Sequence, residues 1–283
     1  MGDGRGAVRR PLRPGLVLSA GWLVLLALAA ILAPWLAPKD PLAQDLMLGR
    51  LPPFWLRGAE PGFWLGTDSL GRDVLSRSLY AARLALSVAL VAGTLTCLIG
   101  AALGLMAGYL RGWVDMLISR LIDIWMAFPP VLFSILLIAV LGPGEGSIIL
   151  AIVVIDWTRF ARVIRAEAMT QGAMDYVTSA QTTGRGRLSI MLTEILPNVL
   201  PTIVVLLTLE MGIAIIVEAI LSFVNLSIST DDPTWGGMIA EGRGAIHQAW
   251  WVLVFPLIAL FLTVLAFSQL GEGLKDRFDP VLR

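Results

Sequence analysis

Long runs free of charge alternate along this chain with short polar stretches, and the runs are too long for the core helices of a soluble domain. A helix needs about 20 largely apolar residues to cross the hydrocarbon core of a bilayer. Runs of that kind cover 14–38, 84–110, 124–144, 199–224 and 244–271, the third extended at its start by 116–123. A weaker run, 147–164, is interrupted by Asp156, Arg159 and Arg162, and the 199–224 run contains Glu210 and Glu218. In lipid every backbone N–H and C=O has to be satisfied within the segment, so each run reads as a helix. The pattern predicts an all-α integral membrane protein with six transmembrane helices.

The polar stretches divide the chain into an N-terminus with a first helix (1–38), a loop with an interfacial helix (39–82), and a core (83–283) that carries a polar insert at 165–197. Arg5, Arg9, Arg10 and Arg13 resemble the basic start of a signal peptide, but the run after them is too long and lacks a cleavage site, so an uncleaved helix is expected. The 39–82 loop ends in GTDSLGRDVLSRSLYAAR, where Thr67, Asp68 or Ser69 is placed to cap a helix and Asp73 and Arg77 stand at i, i+4. Gly100, Gly104 and Gly108 recur every fourth residue, a small-residue stripe that lets another helix approach closely. A second loop, 226–243, has turn chemistry at Asp232-Pro233 and Gly236-Gly237, and Trp250 and Trp251 open the sixth span. In the insert the pattern predicts a helix over 167–183, a turn at Gly184 and Gly186, and a second helix over 188–196 that enters the fifth span at Pro197. Small Ser179 and Ala180 leave room there for a partner surface. Arginine clusters at the N-terminus, over 159–187, and a basic tail of Lys275, Arg277 and Arg283 put both termini and the insert in the cytoplasm.

Composition agrees and closes several classes of chemistry. The chain is 57% hydrophobic and 15% charged, with a mean hydropathy of +0.80. Its net charge is zero, which leaves no basic footprint for nucleic acid. A single cysteine (Cys97) and a single histidine (His247) argue against a metal centre and against nucleophilic catalysis, so no catalytic residue is expected. The chain has no G-x-x-x-x-G-K-[ST] loop to cradle a nucleotide phosphate. Ionisable residues inside spans are costly and point to function. Asp156 stands at i, i+3 from Arg159, whereas Glu210 and Glu218 lie eight apart, about 80° around a helix, and can both face a pathway and a substrate ammonium. A stand-alone channel or secondary transporter is the alternative, although no repeat relates the two halves and such a carrier needs no insert of this kind.

The segment VTSAQTTGRGRLSIMLTEILPN resembles the EAA loop of ATP-binding cassette importer permeases, with Ala180, Gly184 and Ile195-Leu196-Pro197 matching in type and spacing. Thr178 and Ser179 stand where that motif has glutamate and alanine. The resemblance continues through Gly66-Thr67-Asp68, Gly71-Arg72-Asp73, Ser76-Arg77 and Tyr80, then Gly108-Tyr109, Asp115, Arg120, Asp123, Phe128-Pro129, Leu221-Ser222-Phe223, Trp235-Gly236 and Asp279-Pro280. The chain is similar to the second permease of dipeptide, oligopeptide and nickel importers. The resemblance implies a type I permease fold and a bacterial inner-membrane location. It also implies a heterodimer with a second permease, two ATPase subunits that bind ATP and Mg, and an external solute-binding protein. Tyr176, Thr178, Ser179, Ala180, Gly184, Ile195, Leu196 and Pro197 would then form the coupling surface, and Asp156, Glu210 and Glu218 the pathway. No cofactor is implied for this chain, and the substrate stays open between peptide, nickel, glutathione, opine and sugar.

Overall fold

A computed structural model describes residues 14–226 and 232–278. Arg5, Arg9, Arg10, Arg13, Asp279-Pro280 and Arg283 lie outside them, as does the 227–231 part of the second loop. The described residues form helices joined by loops, with no strand beyond an isolated bridge between Thr67 and Asp73. In chain order they are α1 (Pro14–Ile31), α2 (Ala33–Leu36), α3 (Val74–Leu110), α4 (Gly112–Met126), α5 (Pro130–Leu141), α6 (Glu145–Gln171), α7 (Asp175–Thr182), α8 (Arg187–Ile190), α9 (Leu196–Phe223), α10 (Trp235–Gly244) and α11 (Trp251–Phe278).

Among the described residues, four helices are long and apolar enough to cross a membrane: α1, α3, the continuous rod Arg187–Phe223 and α11. The predicted third run is not straight. It divides into α4 and α5, which meet at 85° and count together as a fifth candidate span. The break falls at Phe128-Pro129-Pro130, where Pro129 is extended (ψ 122°) because the ring of Pro130 disfavours helical geometry in the residue before it. The weaker 147–164 run lies inside α6, a 27-residue helix buried along much of its length despite its charges. The segment expected as an interfacial helix has no boundary of its own, since the helix that begins at Val74 runs on to Leu110.

The glycine stripe finds its partner in α6. A Cβ at Gly100 would stand 2.6 Å from the Trp157 carbonyl, at Gly104 2.7 Å from that of Ala161, and at Gly108 2.5 Å from that of Arg165. Backbone therefore lies directly on backbone for two turns, a contact only glycine permits.

At the opposite end of the bundle the 39–73 loop is held by buried charge. Asp68 accepts from Arg72 Nε (2.7 Å) and Arg77 Nη1 (2.7 Å), and both arginines reach Glu241 of α10 (2.8 and 3.3 Å). Arg77 is only 1% exposed. The expected Asp73–Arg77 pair is thus replaced: Asp73 caps α3 instead, accepting from Ser76 N (2.7 Å) and Ser76 Oγ (2.6 Å). Thr67, Asp68 and Ser69 do not cap it. Thr67 Oγ1 bridges Leu51 N and the Leu48 carbonyl, and Trp251 Nε1 donates to the Thr67 carbonyl (3.0 Å). Burial, with Asp68 adding to it and Arg72 opposing it, pushes the Glu241 carboxyl above its ordinary value.

Two stability predictions follow from these contacts. Gly104→Leu should cost at least about 1–3 kcal/mol by prising α3 from α6, seen as a lower melting temperature of the detergent-solubilised chain. Arg77→Ala should cost about 3–5 kcal/mol by leaving Asp68 underpaired in the interior, whereas Arg77→Lys should recover part of that loss in the same assay.

Candidate coupling surface and intramembrane charge site

The insert is built from a turn, a short helix, a second turn and a rod. The helix expected over 167–183 is two helices. α6 ends at Gly172, whose N–H bonds the Ala168 carbonyl (2.9 Å), and α7 starts after an extended Met174. A Cβ on Gly172 would press on that carbonyl at 3.0 Å, so the close fold-back suits glycine. α7 then ends in a Schellman motif: Arg185 N bonds the Ala180 carbonyl (3.3 Å) and Gly184 N the Gln181 carbonyl (3.0 Å), with Gly184 at φ +78°. Arg185 ties this turn to the rod, donating to Thr193 Oγ1 (2.7 Å) and pairing with Glu194.

The rod carries a π-helical turn at Met191–Ile195 between α8 and α9. Leu196 N reaches back five residues to the Met191 carbonyl, and Pro197 follows without an N–H to continue the ladder. Asn198 Nδ2 donates to the Glu194 carbonyl (2.7 Å).

The predicted coupling residues separate into two layers. Thr178, Ser179, Gly184 and Pro197 are exposed, and residues 181–189 are exposed throughout. Ala180 is not on that outer face. It is buried with Val177, Ile190, Met191, Ile195 and Val199 in one apolar cluster with Leu105 of α3 and Phe160, Ile164 and Ala168 of α6. Leu196 and Tyr176 pack against its edge. The Tyr176 hydroxyl donates to Gln171 Oε1 (2.7 Å), and burial raises its pKa, which keeps it a neutral donor. Exposed apolar residues missing from the sequence reading border the same surface: Leu188 at 64%, with Met174 and Leu192. Their signal was an apolar residue inside a polar stretch.

Two of the ionisable residues inside the bundle, Asp156 and Glu210, converge on one arginine. Arg159 Nη2 lies 3.5 Å from Asp156 and its Nη1 3.6 Å from Glu210, so the expected Asp156–Arg159 pair forms and extends across to α9. Glu210 is 2% exposed and its Oε1 has no hydrogen-bond partner. Glu218 is also buried and accepts from Ser222 Oγ. Neither glutamate faces the outside of the chain, so the group that does is Arg159, 44% exposed. Two more arginines continue along α6: Arg162 faces Asp123 at 3.8 Å, and Arg165 holds Asp115 with two donors, Nη2 at 2.8 Å. The described residues contain no group of three or more histidine, cysteine or acidic side chains placed to hold a metal.

Comparison with known proteins places this architecture. Residues 100–283 match the family described as binding-protein-dependent transport system inner membrane component, and residues 13–53 match the N-terminal transmembrane domain of oligopeptide transport permease C. The chain is 39% identical over 264 residues to a di/tripeptide transport system permease protein of Pseudomonas aeruginosa, covering 93% of this chain and 86% of that protein. It is 38% identical over 269 residues to a dipeptide transport system permease protein of Haemophilus influenzae, covering 95% and 91%. A glutathione transport system permease protein of Pectobacterium atrosepticum is 38% identical over 277 residues, covering 97% and 89%. The chain therefore belongs to the binding-protein-dependent transport system inner membrane components, as a permease subunit of the ATP-binding cassette importer type with that family's all-helical fold.

Proposed function

We propose that this permease forms half of the translocation pathway of an importer for peptides or similar small solutes, paired with a second, homologous permease in a bacterial inner membrane. Both termini and the 165–197 insert face the cytoplasm, where two separate ATPase subunits bind ATP and Mg and grip the insert. A solute-binding protein delivers substrate at the other end, over the 39–73 loop and α10. The names of the relatives support the peptide class.

One observation carries the coupling assignment. The insert is exposed over 181–189, while its inner face shares a continuous apolar cluster with α3 and α6. A force applied to Thr178, Ser179 or the Gly184 turn passes through Val177, Ala180 and Ile190 into the bundle, and through the Arg187–Phe223 rod into α9. Close packing transmits such a displacement without absorbing it. Thr178 and Ser179 present hydroxyls where the related motif has a carboxylate and a methyl, so the ATPase groove facing them meets a neutral surface. Within the bundle, Asp156 and Glu210 belong to the pathway wall as the carboxylates that hold Arg159, and Glu218 braces α9 through Ser222.

Gly184→Pro removes the N–H that bonds Gln181 and cannot adopt φ +78°. The variant should insert and pair normally yet lose ATP-driven uptake by at least about tenfold, since the Schellman turn orients the whole contact. Wild-type uptake by that variant in proteoliposomes containing all subunits would remove the lever. Pull-down of the tagged chain in mild detergent should bring a second permease and P-loop ATPases. Recovery of this chain alone, as an intact oligomer, would favour a carrier independent of ATP.

A further inference from the structure

We propose that Arg159 is a specificity-determining residue of the pathway, a guanidinium that receives the carboxylate of a passing substrate and hands it on to Arg162. The inference rests on the importer reading above and adds the chemical group recognised.

Three observations carry it. Arg159 stands near the middle of α6, and over residues 151–161 it is the one exposed position; the rest are buried apart from half-buried Val154. A surface that met lipid would expose apolar side chains at that depth, and an arginine is strongly disfavoured there. The opening at Arg159 therefore faces an aqueous path or the other subunit.

The second observation is how loosely Arg159 is held. It makes a single long contact to each carboxylate, 3.5 and 3.6 Å, whereas Arg165 grips Asp115 with two donors. A guanidinium has five N–H donors in a planar fork suited to a carboxylate. Asp156 and Glu210 approach Nη2 and Nη1 from the buried side, each with a single oxygen that stands at or beyond hydrogen-bond distance. Glu210 is short of donors as well, since its Oε1 has no hydrogen-bond partner.

The third observation is the series. Arg162 is one step along the same helix toward the insert, 54% exposed and 3.8 Å from an exposed Asp123. Successive arginines three apart are about 4.5 Å apart along the axis. A fixed bridge to the second permease needs only one such residue. Two loosely paired arginines descending toward a fully engaged third suit an anion in transit, which exchanges one partner for the next.

The test uses the whole transporter in proteoliposomes and two probes, the dipeptide alanylalanine and its C-terminal amide, each supplied with the same binding protein. The ratio of their uptake rates is compared between wild type and variants, so that discrimination by the binding protein cancels. Arg159→Gln should lower the carboxylate-to-amide ratio about tenfold, the scale of a charge-assisted contact, with Arg159→Lys intermediate. Arg162→Gln should lower it by a smaller factor. Because Arg159→Gln leaves the neighbouring carboxyls of Asp156 and Glu210 without their cation, the combined variant Asp156→Asn, Arg159→Gln, Glu210→Gln serves as the control for folding and should show the same fall. An unchanged ratio in Arg159→Gln and in the combined variant, with both probes slowed alike, would overturn the inference and leave the importer reading in place. Wild-type vesicles that take up neither probe would remove the peptide reading, and this inference with it.

Discussion

The contact between α3 and α6 is the constraint on which the rest of this molecule depends. Three glycines four residues apart let the carbonyls of Trp157, Ala161 and Arg165 rest on the α3 backbone, and any side chain there would force the helices apart. With α6 seated in that way, Asp156 and Arg159 come to face Glu210, and the end of α6 comes to lie beside Tyr109, where Gly172 folds back. The position of the insert is thus set by a packing contact well inside the bundle, since loop sequence alone could not orient it.

From that seat the insert behaves as an extension of the helices. Val177 and Ala180 share a core with Leu105 and Ile164, and the rod from Arg187 adds Ile190, Ile195 and Val199 to that core as it continues into α9. The π-helical turn lies inside this cluster, to which Met191, Ile195 and Val199 all belong, just before Pro197. Extra residues in a helical turn let the rod keep its contacts on both sides of a proline that breaks the hydrogen-bond ladder.

Much of this was legible in the sequence, and the misses share a cause. Apolar length marked the long helices, four-residue spacing marked the stripe, and glycine marked the turn at Gly184, because each is a local property of the chain. The 85° break was also written locally, in Phe128-Pro129-Pro130, but apolar run length outweighed it. The split of the insert helix falls at Gly172 beside Tyr109, a neighbour distant in sequence that periodicity does not encode. Asp73 and Arg77 have the spacing of a helical ion pair, yet Arg77 turns to Asp68 and Glu241, the latter 164 positions away. The Asp156–Arg159 pair forms as its spacing suggests, whereas the exposure of Arg159 and its reach to Glu210 are tertiary properties. Ala180 was placed on the outer face because burial is tertiary too.

The charge cluster of buried Asp68, Arg72 and Arg77 with the partly exposed Glu241 also bears on how the chain is made. Its two arginines are matched in charge only when both acids are present, and Glu241 follows Arg72 by 169 residues. A ribosome therefore releases both arginines, with Asp68 as their shared partner, long before Glu241 exists. Until α10 arrives, the donors that later reach Glu241 have to be met by water, which weakens the hold on the 39–73 loop. A chain truncated ahead of α10 retains this imbalance permanently. Closure of this end of the permease is thereby tied to the arrival of α10, and a subunit that lacks it differs from a finished one by two arginines that share the single acid Asp68.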